Sequence, residues 1–335
     1  MFTVTLVEPT FLKVILRSIS GVSNEASFYF DEKGLSIEPL LNKPTSTVVY
    51  AAHLSRSWFR EFQCIERTLF GVNIEHLIDT LHFAKDGDEC VLNRDCCNLT
   101  VAIRSKDSRA LIDCVATYSL KVQPMASCPS SIPGRNVYTT HVTMPSSLFW
   151  RAIDSHSKSS AAIRIEITNK DVGFLNVNEK EIGGCVLFKA NLYLERLGQP
   201  QRVRYNRLSL SPEEDLQLGD GIIIRQEPLG HSSHVLQLKQ LQSIREIAPV
   251  DPKLHLMMEN SKGNECHEQW LLMSYELGTS YVRFYIKQLP CAARKKAPTT
   301  YLTRFRPFTG TIVSIPATIL ITVLLGLLVI FYWLK

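Results

Sequence analysis

Two amphipathic helices set among many short alternating strands, in an order that occurs twice, constrain this chain more than any other feature. In the first half, Phe11, Leu12, Ile15, Leu16 and Ile19 fit one helix face, with Pro9 near its start. Ile74, Leu77, Ile78 and Leu81 fit a second at i, i+3, i+4 and i+7. Alternating strands are expected over 2–7, 26–30, 35–40, 47–51, 99–103 and 111–122. In the second half, 137–143 reads as a strand, and Pro145 then opens a helix through Leu148, Phe149, Ala152 and Ile153. Strands over 162–168, 172–177 and 185–192 precede a fourth helix around Leu236, Leu238, Leu241 and Ile244, and strands over 254–258, 270–277 and 281–286 close the half. Sheets that carry amphipathic helices on one face bury that face alone, which predicts an α+β chain of two tandem domains.

The expected divisions are a first domain over 1–122, a Pro- and Ser-rich linker over 123–135 and a second domain over 136–290. About 196–234 reads as an exposed insertion, with Arg202, Arg204 and Arg207 ahead of Ser209-Leu210-Ser211-Pro212-Glu213-Glu214-Asp215. A basic segment over 291–311 follows. Residues 312–334 are then 23 residues without a charge, long enough for a transmembrane helix, with Tyr332 and Trp333 at the end like an interfacial belt. Only Lys335 comes after, so the expected topology is tail-anchored, in the nuclear envelope or the ER membrane, with the body on the nuclear or cytosolic side.

Charge is distributed to match. Of 335 residues, 37 are Lys or Arg and 32 Asp or Glu, a formal net charge of +5. Six of the basic residues, and no acid, lie in 291–335, so the body alone is near neutral and its global charge does not argue for nucleic-acid binding. The nine cysteines form no CxxC pair, and no Gly-rich phosphate loop, GxSxG, HExxH or zinc spacing occurs. The Asp86-Gly87-Asp88 acids are accounted for by a turn. Neither an enzyme nor a metal or cofactor site is expected.

Short matches in shared order carry a resemblance. Met1-Phe2, Leu6-Val7, Leu12-Lys13, Asn24-Glu25-Ala26, Gly34, Cys64, Gly71-Val72-Asn73, Met144-Pro145-Ser146 with Phe149 and Arg151, and Tyr281-Val282-Arg283-Phe284-Tyr285-Ile286 resemble the DNA sliding-clamp superfamily: PCNA and the heterotrimeric DNA-damage checkpoint clamp. The likeness covers about residues 1–290 and thins across the insertion. Leu120-Lys121-Val122-Gln123-Pro124 and Leu194-Glu195-Arg196-Leu197-Gly198-Gln199-Pro200 are more similar to the Hus-type checkpoint subunit.

The resemblance implies a DNA-clamp fold, a nuclear protein, and a ring of three two-domain subunits around double-stranded DNA, with sheets outside and helices lining the hole. The partners it implies are two further clamp subunits, a clamp loader and client proteins bearing peptide motifs. Strands over 111–118 and 184–192 would be the subunit edges. The DNA-facing residues would be Lys13, Arg17, Arg151, Lys158 and Lys239. A client pocket would be lined by Leu40, Leu41, Pro44, Met125, Ile132, Pro133 and Pro290. The departures are Asp79 and His82 where PCNA carries lysines, Val14 and Ser20 at two more basic positions, Asp154 for an arginine, and the missing acidic linker. Three readings stay open: a checkpoint-type subunit, a PCNA-type homotrimeric processivity factor, and a membrane-anchored adaptor that reuses the fold without DNA.

Overall fold

The computed structural model describes residues 2–40, 46–64, 66–95, 97–105, 116–125, 132–133, 138–168, 170–177, 185–189, 222–226, 232–258 and 269–289. All belong to one compact unit, Met1–Arg294. The first half runs β1 (Phe2–Leu6), α1 (Pro9–Ser20), β2 (Glu25–Asp31), β3 (Gly34–Pro39), β4 (Val48–Ser55), β5 (Phe59–Cys64), β6 (Thr68–Asn73), α2 (Ile74–Thr80), β7 (Glu89–Arg94), β8 (Asn98–Arg104) and β9 (Ala116–Lys121). A two-residue strand, β10 (Gln123–Pro124), pairs with β6. The second half runs β11 (Thr140–Pro145), α3 (Ser146–Ser157), β12 (Ala162–Ile167), β13 (Asp171–Asn176), β14 (Cys185–Lys189), β15 (Ile223–Gln226), β16 (Ser232–Gln237), α4 (Leu238–Ser243), β17 (Lys253–Met258), β18 (Trp270–Leu277) and β19 (Ser280–Lys287).

The same order is wired the same way in each half. One sheet has the order β5-β1-β7-β8-β9, and its counterpart within the ten-stranded sheet is β15-β11-β17-β18-β19. The other sheets, β6-β2-β3-β4 and β16-β12-β13-β14, correspond strand for strand. The chain is thus a topological repeat, and antiparallel pairing holds throughout. The stretch read as an insertion, about 196–234, overlaps β15 and the start of β16, which take the repeat positions of β5 and β6.

The halves join edge to edge. β4 pairs with β19 from His53↔Tyr281 to Val48↔Ile286, which fuses one sheet from each half into ten strands. Ser280 Oγ accepts the Ser55 backbone N–H at 2.8 Å, and the Lys287 N–H donates to Thr47 O at 2.8 Å. The pairing satisfies backbone groups that two separate edges would leave open. Among the described residues the strands at the sheet edges are β5 and β9, β10 and β15, and β14 and β16.

The core follows the period-two pattern of the strands. Phe2, Val4 and Leu6 of β1, Cys90 and Leu92 of β7, and Leu99, Val101 and Ile103 of β8 are all buried. Phe2 stacks on Phe30 at 4.1 Å and on Phe70 at 5.9 Å, and the second half has its own set, Phe149–Phe174 at 5.7 Å and Phe174–Phe188 at 5.8 Å. Each such ring contributes about 1.5–3 kcal/mol by leaving water. Burial also pushes the Cys90 thiol up to about 12, so it stays protonated and inert. At the β2–β3 hairpin Gly34 takes φ +142°, and a Cβ there would sit 2.0 Å from Leu54 O. No other residue type fits that close approach.

Leu236, expected in the fourth helix, instead lies in strand β16 opposite Ile163. Its apolar spacing to Leu238 and Leu241 arises because a strand runs straight into a helix. Six strands fall outside the expected spans: β5, β6, β7, β10, β15 and β16. Among the described residues no helix is long and apolar enough to cross a membrane, and residues 312–334 lie outside them.

Candidate nucleic-acid interface

The four helices form one layer. α1 packs against α2 on one side and against the 3-10 turn Arg245–Ile247 that follows α4 on the other, and α4 packs against α3. The row α2–α1–α4–α3 therefore crosses the join between the halves. At the crossing the C-terminal end of α1 comes so near that of α4 that a Cβ on Gly21 would lie 1.8 Å from Ser243 O. Only a residue without a side chain permits that approach.

Each helix buries one stripe and exposes the other. α1 buries Leu12, Ile15, Leu16 and Ile19, and α3 buries Phe149, Ala152, Ile153 and His156 at the matching places. What stays outside on this layer is mostly charged. Arg17 is exposed on α1, Arg151 on α3, Lys158 at the C-cap of α3 and Lys239 on α4. Lys13 is half-buried, and its Nζ donates to His82 O at 3.4 Å. Partial burial, and then the neighbouring Arg17 guanidinium, hold the Lys13 ammonium below the usual lysine range. All five residues expected to face DNA thus sit on this one layer of helices.

The layer is uneven. α2 exposes Glu75, His76 and Asp79, and its Asn73 cap accepts the His76 N–H at 3.0 Å. Asp154 on α3 accepts a hydrogen bond from Arg245 Nη2 at 2.5 Å. Arg245 escaped sequence reasoning because it lies in a 3-10 turn beyond the helical period, and its partner is 91 positions away. The loss of positive charge at Asp154 is thereby offset by a cation from the neighbouring element.

Helix positions are fixed by polar anchors beneath. Trp150 Nε1 donates to the Tyr275 hydroxyl at 3.0 Å, and Ser146 Oγ lies 3.4 Å from the same oxygen. Burial pushes the Tyr275 phenol up to about 12. At the far end of α3, His156 Nδ1 lies 2.7 Å from Asn176 Oδ1, whose amide donates to Ser159 Oγ at 2.8 Å.

Residues expected to line a client pocket fall in two places. Leu40 is buried, its methyl groups where a Cβ on Gly71 would meet them at 2.9 Å. Half-buried Ile132 packs on a separate apolar patch of Val49, Ala51, Met257, Trp270, Leu272 and Tyr285, on the sheet face opposite the helices and across the join. Met125 and Pro133 are half-buried, and Leu41, Pro44 and Pro290 lie outside the described residues. Among the described residues no group of three or more His, Cys, Asp and Glu is placed to hold a metal ion.

The comparison with known families bears on the first half directly. Residues 1–128 match the family model described as Proliferating cell nuclear antigen, N-terminal domain. The strand–helix order of that half is repeated in the second half.

Proposed function

We propose that this chain is a non-catalytic subunit of a ring-shaped clamp that encircles duplex DNA and holds replication, repair or checkpoint factors on it. The observation that carries the proposal is that the two strands joined inside the chain have repeat counterparts that are both sheet edges. Within the chain, the halves join through β4 and β19. The repeat equivalents of those strands are β14 and β9, and both are edge strands among the described residues. Joining β14 of one subunit to β9 of the next would repeat the internal junction. A heterologous contact of that kind closes into a ring if its rotation divides a full turn. Three two-half subunits are what the clamp resemblance implies.

A row of helices bearing Lys13, Arg17, Arg151, Lys158 and Lys239 suits contact with phosphates, which carries no sequence information and permits sliding. Each phosphate neutralised steepens the fall of log affinity with log salt by about 0.9. The test compares circular with linear duplex DNA under rising salt. A clamp stays threaded on circles after salt has removed it from linear DNA. Equal loss from both forms would leave only the adaptor reading.

Two compositions of the ring are proposed. A checkpoint-type heterotrimer is favoured by Leu120-Lys121-Val122-Gln123-Pro124 and by Asp79 on α2 and His82 in the turn after it, where PCNA carries lysines. A ring of identical subunits is favoured by Asn24-Glu25-Ala26, Gly71-Val72-Asn73 and Met144-Pro145-Ser146, which are similar to PCNA. Residues 312–334 are proposed to anchor the ring subunit in the nuclear envelope or ER membrane. Carbonate extraction of the full chain decides this, and recovery in the soluble fraction would remove the anchor.

A further inference from the structure

Equivalent ends of the two halves are built differently. Counterparts of α1, β2 and β3 lie 137 positions later: Pro9 to Ser146, Glu25 to Ala162, Gly34 to Asp171. Counterparts of β6, α2 and β7 lie 164 later: Thr68 to Ser232, Ile74 to Leu238, Glu89 to Lys253. Phe2 corresponds to Thr140, since Phe2 pairs with Arg94 and Thr140 with Met258, which is 164 positions beyond Arg94.

In the first half this end is closed by rings. Phe2, Phe30 and Phe70 are fully buried and stack on one another at 4.1, 5.9 and 6.0 Å. Their counterparts are Thr140, Ile167 and His234, which are buried as completely. Thr140 Oγ1 lies 2.6 Å from Ser232 Oγ. A hydroxyl pair thus links β11 of the ten-stranded sheet to β16 of the four-stranded sheet, where the first half has ring contacts.

A short strap crosses each of these ends. In the first half the Val122 N–H donates to Cys97 O at 3.0 Å, and Gln123 then pairs with Gly71 of β6. In the second half the Gln288 N–H donates to Gln269 O at 3.0 Å, and the Leu289 N–H to Val235 O of β16 at 2.9 Å. Val235 is the counterpart of Gly71, so the two straps hold matching strands at matching places. Each strap buries its first side chain, and those side chains differ. Val122 joins the core that contains Phe2 and Phe70. Gln288 Nε2 reaches Ser233 O only at 3.4 Å, and its Oε1 is buried without a hydrogen-bond partner among the described residues, as is Thr139 Oγ1 beside Thr140. A buried polar atom left unpaired costs free energy that opening to water returns. An apolar strap over stacked rings gains nothing of the kind by opening.

We infer that Gln288–Leu289 is a releasable strap: it lets β16 and the four-stranded sheet part from the ten-stranded sheet at this end, while the first half stays shut. Release gives water access to Thr140, Ser232, His234 and Gln288, all of which water can satisfy. The chain runs on from Leu289 into residues 290–335, so a pull on that stretch bears first on the strap. The inference goes beyond the clamp reading and stands on the fold alone, so it holds whether or not the chain encircles DNA.

The test is amide hydrogen exchange, read by mass spectrometry on the full chain in mild detergent. Amides of β16 and of Gln288–Leu289 are expected to exchange about tenfold or more faster than those of β6 and Val122–Gln123, their counterparts. Gln288→Val removes the unpaired acceptor and slows β16 by about tenfold. Leu289→Pro removes the strap's N–H and speeds β16 by about fivefold, while β17 and β18 keep their protection. Val122→Gln puts an amide under the first strap and speeds β6 by about tenfold. Equal protection of β6 and β16 in the wild type would overturn the inference. So would unchanged exchange of β16 in the Gln288→Val chain, or a Leu289→Pro chain that frees β17 and β18 as readily as β16. Should a variant fail to fold by circular dichroism, the wild-type comparison of β6 with β16 still decides.

Discussion

The two halves agree where they are buried and differ where they are exposed. Leu12 and Phe149, Leu16 and Ile153, Ile74 and Leu238, and Leu77 and Leu241 are counterparts, all at 0–2% exposure. Yet Arg17 corresponds to Asp154, Glu75 to Lys239 and Asp79 to Ser243. The repeated fold is thus a property of the apolar stripes. The charge of the helix layer varies independently, so each half can meet a different surface with the same scaffold.

The sharpest way to break this comparison is to empty one core at a time. Phe149→Ala should lower stability by about 3–5 kcal/mol and Leu12→Ala by about 2–5 kcal/mol, read from denaturant unfolding. Because a ten-stranded sheet spans both halves, each substitution should move one shared transition. Two separate transitions, with only the mutated half shifted, would mean that the β4–β19 join does not couple the halves.

The join itself distinguishes a glycine from its counterpart. Gly21→Val would drive a side chain into the Ser243 carbonyl, a backbone atom that cannot swing aside, and should cost about 1–3 kcal/mol or more. Lys158→Ala, at the equivalent place, should change monomer stability by no more than about 0.5 kcal/mol. Equal costs by thermal unfolding would show that the close approach is not specific to the internal junction.

A third difference lies on the sheet face opposite the helices. His141 is buried, with Nε2 3.2 Å from His255 Nδ1, which also lies 3.0 Å from Thr143 Oγ1. Their first-half counterparts are Thr3, Val91 and Thr5, and neither Thr3 nor Val91 titrates. Burial first, then His255 and Arg225, push the His141 imidazole down to about 3. The folded state therefore favours the neutral ring. That stability is fully present above about pH 6.5 and is lost as the pH falls toward 3, at a slope of up to about 1.4 kcal/mol per pH unit. His141→Asn should flatten the slope of unfolding free energy between pH 6 and 4. At the alkaline end the buried Tyr275 phenol adds stability below about pH 10 that fades as the pH rises toward 12.

How much of this the sequence disclosed depended on whether a residue's partner was near in sequence. Helix faces and most strands were legible, since i, i+3, i+4 and alternating patterns are local. β5 was missed because Arg60, Glu61 and Gln63 lie on an edge strand that pairs only with β1, so little of it is buried. β7 was missed because its run, Cys90 to Leu92, follows the Asp86–Asp88 turn and alternates over only a few residues. Lys13, Arg17, Arg151 and Lys239 could be placed on the helix layer from periodicity. The pairing of Asp154 with Arg245, the separation of Leu40 from Ile132, and the meeting of Gly21 with Ser243 are long-range contacts that no local pattern encodes.

The smallest expected effect tests whether the exposed layer is independent of the fold. Asp154 corresponds to Arg17, and its carboxylate engages Arg245 in the open, with both side chains about half exposed. An ion pair so placed contributes about 0–1 kcal/mol, so Asp154→Asn should leave thermal stability nearly unchanged. It would release Arg245 to the helix layer and remove a negative charge from it. Binding to linear duplex DNA should then tighten, and the slope of log affinity against log salt should steepen by about one. Arg17→Ala, at the counterpart position, should relax the slope by about the same amount. If both substitutions move melting temperature but neither moves the salt slope, the exposed charges serve the fold, and the division between a fixed core and a variable lining fails.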